Sequence, residues 1–320
     1  MRLDEDGLVS FIGRKLRKRA DEVLVAGSTV NRSDRQQNIR LPLLFLLPGS
    51  LGYGPSLTEI ASRIGKVARV LPVRYPDLRM ILEGKDTLAD MAAFVVQQIV
   101  HHQPSGDVRL LGHSLGGAVA FEVAARLLAA GRTVKFIGLL DTSIMGERST
   151  YWTTVTRTIS RIRGNHVTIS RMACRALAKI AGATRCEARL TRLVDRHARG
   201  QFDVNSFRIK LELQEVMREH AYFNWSSEPK PELPLTVTLF RCDRKGMPPT
   251  LGWDGPFARV DVIPIAGGHV DLGMHPFASV NGPAVESALL RTYSPDETNT
   301  LSSDHESDRQ SDPEPNDAAV

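Results

Sequence analysis

The sequence lacks the features that mark secreted, membrane-embedded and metal-dependent proteins. Only three cysteines occur in 320 residues, and Cys174, Cys186 and Cys242 do not have the paired spacing of a metal site. No run approaches the roughly 18 consecutive apolar residues that a membrane helix needs. The N-terminus is acidic and has no apolar signal core. We therefore predict a cytoplasmic protein with reduced thiols, no metal and no membrane span.

Charge is distributed unevenly along the chain. Residues 151–210 carry eleven arginines and two lysines against three acidic residues, whereas residues 294–320 carry eight acidic residues against one arginine. Aromatic residues are sparse in the basic stretch, which argues against nucleic-acid binding. The acidic stretch has almost no apolar side chains, which predicts a disordered tail over residues 294–320. Residues 1–38 are interpreted as an N-terminal extension, which leaves residues 39–293 for the folded domain.

Short apolar runs alternate with helical patterns between residues 41 and 140. The predicted strands are Leu43–Leu47, Ala68–Val73, Val108–Leu111 and Val134–Leu140, and the predicted helices are Leu57–Ile64, Leu88–His101 and Ala118–Ala130. This alternation predicts an α/β fold with a mostly parallel sheet and helices on both faces. Functional residues of such sheets gather at the carboxyl ends of the strands.

The alternation stops near residue 145 and resumes at residue 235. Two further strands, Leu235–Phe240 and Val260–Pro264, and a closing helix, Val280–Thr292, complete the pattern. The stretch between has helical periodicity and few strand signals. An insertion of this size between two strands predicts a helical lid over about residues 146–232.

The segment from Asp107 to Gly117 carries the most specific motif of the chain. An apolar run leads into Gly112-His-Ser114-Leu-Gly116, and an alanine-rich helical pattern follows directly. This is the strand–turn–helix context of the nucleophile elbow in α/β-hydrolase folds. We therefore predict that Ser114 is a catalytic nucleophile at the N-terminus of a helix.

A serine hydroxyl needs a base, and in this fold the base is a histidine late in the chain. Three histidines follow the last predicted strand: His269, His275 and His305. His269 lies in a glycine-containing loop directly after that strand, whereas His305 falls in the acidic tail. We predict His269 as the base.

Two aspartates could orient the imidazole. Asp141 follows the strand next to the elbow strand, and Asp243 follows Leu235–Phe240. Asp243 has Arg244 and Lys245 beside it, which suggests an exposed charge that is already balanced. Asp141 has no charged neighbour in the sequence. We favour Asp141 as the acid, with Asp243 as the alternative.

The oxyanion of an acyl-transfer intermediate needs two N–H donors. One is predicted to be the backbone N–H of Leu115, directly after the nucleophile. The other is expected from the glycine-rich loop over residues 48–54, where Ser50 is the best-placed donor.

These residues resemble the thioesterase domains of non-ribosomal peptide and polyketide synthases and their free-standing relatives. The resemblance covers residues 41–145 and 233–290. It is strongest at residues 47–54, 110–117 and 136–142, with support from Leu239–Arg241, Gly252-Trp253 and Gly267–His269. In synthase-terminal members the acid maps onto Asp141, and in several free-standing members it maps onto Asp243. With an aspartate at both positions, the resemblance leaves both open.

The resemblance implies a serine thioesterase that acts through an acyl-Ser114 intermediate and needs no cofactor of its own. Its substrates would be acyl, peptidyl or polyketidyl groups held as phosphopantetheine thioesters. Residues 1–40 are too few for a carrier domain, so we expect a free-standing enzyme that meets an acyl or peptidyl carrier protein in trans. A basic lid would steer such an acidic partner. The alternative is a carboxylesterase or lipase of the same fold that acts on oxoesters.

Overall fold

The computed structural model describes residues 41–50, 52–53, 55–144, 177–198 and 204–298. The predicted N-terminal extension, Cys174, His305, and residues 146–176 and 199–203 of the predicted lid lie outside these ranges.

A single parallel sheet forms the centre of the fold. Its strands are β1 (Leu43–Leu47), β2 (Arg69–Pro72), β3 (Val108–His113), β4 (Val134–Leu140), β5 (Leu233–Arg241) and β6 (Phe257–Pro264). Their order across the sheet is β2-β1-β3-β4-β5-β6, and every neighbouring pair is parallel. All carboxyl ends therefore lie at one edge of the sheet. The predicted α/β-hydrolase fold class is confirmed.

Helices cover both faces of this sheet. They are α1 (Pro55–Ile64), α2 (Leu78–Leu82), α3 (Leu88–His102), α4 (Leu115–Ala129), α5 (Glu187–Ala198), α6 (Val204–Ser227) and α7 (Phe277–Leu290). Strand β1 shows how the two cores arise, because its side chains point alternately to opposite faces. Phe45 and Leu47 pack in the core beneath α3 and α4, whereas Leu44 and Leu46 pack in the core beneath α1 and α7. A continuous apolar strand is therefore buried on both sides.

Helix α4 begins earlier than the sequence predicted. The prediction placed its start at Ala118, where the alanine-rich run begins, and the preceding Gly116 and Gly117 are poor helix formers. The helix instead begins at Leu115, directly after Ser114. Gly116 and Gly117 are both buried in its first turn. Close packing at this turn outweighs the low helix propensity of glycine.

The end of the folded domain lies beyond the predicted boundary at residue 293. Residues 295–298 are helical, and the Glu297 carboxylate accepts two hydrogen bonds from Arg109 Nη2, each 2.8 Å long. Arg109 lies in β3 with only 2% of its side chain exposed, and its guanidinium also lies over the Tyr293 ring. The prediction of a disordered tail from residue 294 is thus wrong for residues 294–298. Residues 299–320 lie outside the described ranges.

The described part of the lid is helical, as expected. Residues 177–183 are helical, and α5 and α6 follow. The end of α6 is anchored on the elbow helix, since Trp225 packs against Phe121 and its Nε1 donates to Glu122 at 2.7 Å. Within the described ranges, every helix falls short of the combined length and apolar character that a membrane crossing requires.

Candidate active site

Ser114 sits at a strained turn between β3 and α4. Its φ of 55° and ψ of −121° lie in a region that non-glycine residues rarely adopt. The turn closes because its flanking residues lack side chains. A Cβ on Gly112 would lie 2.3 Å from the carbonyl oxygen of Gly116, and one on Gly116 would lie 2.2 Å from that of Leu47. This geometry presents the Ser114 hydroxyl at the carboxyl edge of the sheet and at a helix N-terminus.

Ser114, His269 and Asp141 form one hydrogen-bonded chain. His269 Nε2 lies 2.9 Å from Ser114 Oγ, and His269 Nδ1 lies 2.8 Å from Asp141 Oδ2. His269 follows β6 and Asp141 follows β4, so the carboxyl edge brings together residues that are far apart in sequence. With Nδ1 protonated, Nε2 is free to accept the serine proton. The arrangement therefore has the geometry to generate a serine nucleophile.

The Asp141 carboxylate is completely buried and well supplied with donors. Burial opposes its ionisation, but hydrogen bonds from His269 and Arg244 outweigh this effect and lower the pKa of Asp141. The backbone N–H of Cys242 also donates to Oδ1 at 3.1 Å. Asp141 itself has a positive φ of 49°, and its N–H donates to the Phe240 carbonyl. The buried carboxylate is thus held ionised.

Arg244 is a member of this site that sequence reasoning placed wrongly. We expected it to balance the charge of Asp243, and the sequence places no charged residue beside Asp141. Instead Arg244 Nε lies 2.8 Å and Nη2 lies 2.6 Å from Asp141 Oδ2, while Asp243 is exposed. The loop after β5 turns so that the arginine, rather than the aspartate, points to the triad. In the sequence, the sign of this contact is the charged pair Asp243-Arg244 after a strand. The pair does not indicate which of the two side chains points to the triad.

Arg244 also competes with the triad for one atom. Its Nη2 lies 2.5 Å from His269 Nδ1. A guanidinium can only donate, so this contact is a hydrogen bond only when Nδ1 carries no proton. The hydrogen bond from His269 Nδ1 to Asp141 requires a proton on Nδ1, because a carboxylate can only accept. The site therefore has two mutually exclusive hydrogen-bond patterns, and only the one with Nδ1 protonated leaves Nε2 able to accept from Ser114.

His113, inside the elbow, supports the loop that carries His269. Its Nε2 donates to the His269 carbonyl at 3.0 Å, and the two rings stack with centroids 5.2 Å apart. Burial is the main cause that lowers the pKa of His113 to about 4, with the nearby His269 adding to the shift. His113 is therefore neutral at physiological pH. The elbow motif by itself does not indicate a role for this residue.

The glycine-rich loop reaches the nucleophile, as expected. A Cβ on Gly49 would lie 3.5 Å from Ser114 Cβ, so the peptide that joins Gly49 to Ser50 is next to the serine. Leu115 is the first residue of α4, where backbone N–H groups have no partner within the helix. Leu51 and Gly54 lie outside the described residues. Gly49, which precedes the expected oxyanion donor Ser50, thus lies against Ser114, and the other expected donor, Leu115, follows Ser114 directly.

The remaining candidates lie elsewhere. His275 is exposed, six residues beyond His269. Among the residues that the structure describes, no group of three or more His, Cys, Asp or Glu side chains is arranged to hold a metal ion.

Curated relatives of this chain are large biosynthetic synthases. It is 30% identical over 101 residues to enterobactin synthase component F of Escherichia coli (strain K12), an alignment that covers 32% of this chain and 8% of that protein. It is 32% identical over 98 residues to the bikaverin polyketide synthase of Gibberella fujikuroi, with coverages of 31% and 5%. The chain thus matches less than a tenth of the length of these relatives.

Solved structures share the fold of this chain. The NocB thioesterase domain, in covalent complex with a fluorophosphonate nocardicin G analog, superposes with a TM-score of 0.54 at 18% identity and covers 78% of this chain and 94% of that one. RedJ, a thioesterase from the prodiginine biosynthetic pathway in Streptomyces coelicolor, superposes with a TM-score of 0.51 at 20% identity, with coverages of 78% and 90%. Residues 42–236 match the family model described as the thioesterase domain. Because that match spans more than half of the chain, the chain belongs to the thioesterase domain family.

Proposed function

We propose that the enzyme cleaves acyl thioesters through a covalent acyl-Ser114 intermediate. The observation that carries this proposal is the continuous chain from Ser114 Oγ through His269 to Asp141, with contacts of 2.9 and 2.8 Å. These are the distances at which a base can remove a hydroxyl proton. The positions of the three residues at one sheet edge, in a member of the thioesterase family, support the same roles.

In the acylation step, Ser114 Oγ attacks the thioester carbonyl while His269 Nε2 takes the hydroxyl proton. The resulting tetrahedral intermediate carries one negative charge on the former carbonyl oxygen. When it collapses, the carbon–sulfur bond breaks and His269 returns its proton to the leaving thiolate. Asp141 stabilises the imidazolium that forms in between. Acylation thus yields a free thiol and an ester on Ser114.

Deacylation repeats these steps with a second nucleophile. His269 removes a proton from water, or from a hydroxyl or amine of the acyl chain itself, and the nucleophile attacks the ester carbonyl. Ser114 then leaves and recovers its proton from His269. Water gives a free acid, and an internal nucleophile gives a ring. Both outcomes use the same residues of the protein.

Two backbone N–H groups, those of Leu115 and Ser50, would hold the oxyanion in both steps. Leu115 donates from the first turn of α4, where the helix dipole also favours a negative charge. Ser50 donates from the glycine-rich loop, which is named the oxyanion loop below and comprises residues 48–50 and 52–53. Removal of a single such donor from a serine hydrolase costs about 10²–10³-fold in rate.

The substrate that we propose is an acyl, peptidyl or polyketidyl group on the phosphopantetheine of a carrier protein that binds in trans. The curated relatives are synthases of peptides and polyketides, which supports this substrate class. The described part of the lid adds a second argument. Five cationic side chains are exposed there and offer complementary charge to an acidic partner: Lys179, Arg185, Arg189, Arg192 and Arg196.

The decisive experiment measures release of acyl groups from a phosphopantetheinylated carrier protein by the wild type and by Ser114→Ala. We expect release by the wild type and loss of that release in the variant. Matched acyl oxoesters are assayed in parallel. Failure on every acylated carrier, together with Ser114-dependent cleavage of simple oxoesters, would establish an esterase instead.

A further inference from the structure

An arginine of the lid helix α6 reaches down to the oxyanion loop. Arg218 Nη1 donates to the Ser50 carbonyl at 3.1 Å, and Arg218 Nη2 lies 3.4 Å from the Pro76 carbonyl. The guanidinium also lies over the Tyr75 ring, 5.4 Å from its centroid. Arg218 therefore connects the lid to the loop that lies against Ser114.

The carbonyls of three successive residues in the oxyanion loop are each held by a different donor. The Pro48 carbonyl accepts from Tyr75 Oη at 2.8 Å, and the Gly49 carbonyl accepts from the N–H of Gly52 at 3.0 Å. Arg218 holds the third carbonyl, that of Ser50. In a trans peptide the C=O and the N–H point in opposite directions. Fixing the Gly49 carbonyl toward Gly52 thus directs the Ser50 N–H the other way, and Arg218 and Tyr75 hold the peptides on either side.

The burial of Arg218 lowers the stability of the folded protein. Only 8% of the residue is exposed, and burial lowers its pKa. Within the described residues no carboxylate lies at ion-pair distance from it, and its Nε is buried without a hydrogen-bond partner. A buried cation without a counter-ion is destabilising, so folding stability does not account for the position of Arg218. Its hydrogen bond to the Ser50 carbonyl and its contact with Tyr75 instead link it to the oxyanion loop.

We propose that Arg218 is a positioning residue that sets the oxyanion loop against Ser114. Arg218 acts through the backbone of Ser50. The geometry of the oxyanion donor therefore depends on the position of α6 relative to the oxyanion loop. This inference rests on the proposed function, because it assigns the Ser50 N–H to the oxyanion. The transition state, which carries the negative charge, should feel the loss of Arg218 more than the bound substrate does.

The test compares Arg218→Ala and Arg218→Lys with the wild type on an acyl N-acetylcysteamine thioester. We expect kcat of Arg218→Ala to fall about 10- to 100-fold, the scale of a misplaced catalytic group, with little change in KM. Arg218→Lys should be intermediate, because an ammonium can replace one contact but not the planar fork. Millimolar guanidinium added to Arg218→Ala should restore part of kcat, which it would not do for a protein that is merely less stable. Arg259→Ala, which removes an exposed arginine of β6, is the matched control.

Several results would overturn the proposal. One is a folded Arg218→Ala protein with wild-type kcat, and another is an effect on KM alone. An equal loss of kcat in Arg259→Ala would also contradict it. If Arg218→Ala does not fold, Arg218→Lys decides, with its melting curve as the check on folding: a reduced kcat supports the proposal, and a wild-type kcat overturns it.

Labelling of Ser114 by a fluorophosphonate separates this proposal from the proposed function. A wild type that is labelled but cleaves no thioester would refute the substrate class. The slower labelling expected of Arg218→Ala would then still report on the oxyanion loop, and equal labelling rates would overturn the role of Arg218. A wild type that neither cleaves nor is labelled would overturn both proposals.

Discussion

At the scale of single residues, Asp141 has more donors than a triad acid requires. His269 Nδ1 and two nitrogens of Arg244 share its Oδ2 atom. The arginine neutralises the carboxylate and competes for Nδ1, so it weakens the stabilisation that Asp141 can give to an imidazolium. The proposed role of Asp141 is therefore best tested by removing its charge while keeping its shape.

Replacing Asp141 by asparagine should lower the acylation rate by about 10⁴-fold, the loss seen when a triad acid becomes an amide and the histidine takes the wrong tautomer. Asp243→Asn is the matched control and should stay close to the wild type, because Asp243 is exposed and His269 Nδ1 bonds to Asp141 instead. Single-turnover acylation with a small thioester measures both. A severe defect in Asp243→Asn with a mild one in Asp141→Asn would show that the acid is misassigned.

His113 predicts how stability depends on pH. Its pKa is about 4 in the folded protein, against 6.5 for an unperturbed histidine. Between these values the unfolded chain binds a proton that the folded chain does not, so stability falls as the pH is lowered from 6.5 to 4. The lowered pKa of His113 contributes about 3 kcal/mol to the free energy of unfolding at neutral pH, and this contribution is lost once the pH is below both pKa values. We expect the free energy of unfolding of the wild type, measured with urea, to fall over this pH range. The fall should be smaller by about 3 kcal/mol in His113→Gln. Parallel curves for the two proteins would contradict this assignment.

At the scale of elements, the C-terminal turn is tied to the centre of the sheet. Arg109 would be a buried, unpaired cation in β3 without Glu297. Replacing Glu297 by glutamine should therefore destabilise the protein by about 1–3 kcal/mol, since Glu297 remains partly exposed. Asp296→Asn removes the same charge from the neighbouring exposed residue and serves as the control. Equal urea midpoints for Glu297→Gln and the wild type would show that the contact contributes nothing.

Local patterns predicted the elements that depend on local physics. The apolar runs at Leu43–Leu47 and Val134–Leu140 are strands with the predicted bounds, because two buried faces demand continuous apolar residues. The glycines of the elbow likewise predicted the turn at Ser114. The Arg109–Glu297 pair could not be predicted, since 188 residues separate its members and the composition around Glu297 is typical of disorder. The inward turn of Arg244 depends on the path of one loop, which no periodicity encodes.

At the scale of the whole molecule, the lid contacts the oxyanion loop through Arg218 and also carries exposed cations. The edge gathers Ser114, Asp141 and His269, and the lid presents an exposed positive charge. Complementary charge acts chiefly on encounter between partners and weakens with ionic strength. The steering role of the lid should thus appear only with a charged macromolecular substrate.

Replacing Arg189, Arg192 and Arg196 together by glutamine should raise KM for an acylated carrier protein and leave a small thioester unaffected. The difference between wild type and variant should shrink as salt is added. Steady-state kinetics at two ionic strengths with both substrates measure this. Equal effects on the two substrates would mean that these arginines do not recognise the carrier.

The insertion between β4 and β5 also determines the order in which the protein can be assembled. Strand β4 ends at Leu140 and its neighbour β5 begins at Leu233. At about 5–20 residues per second, a ribosome needs roughly 5 to 20 seconds to synthesise the intervening residues. During that time the β4 edge lacks its partner strand, and Asp141 lacks His269 and Arg244. Unpaired apolar edges promote aggregation. The nascent chain is therefore exposed to misassembly during this interval, and chaperones that cover the open edge should raise the yield of folded protein.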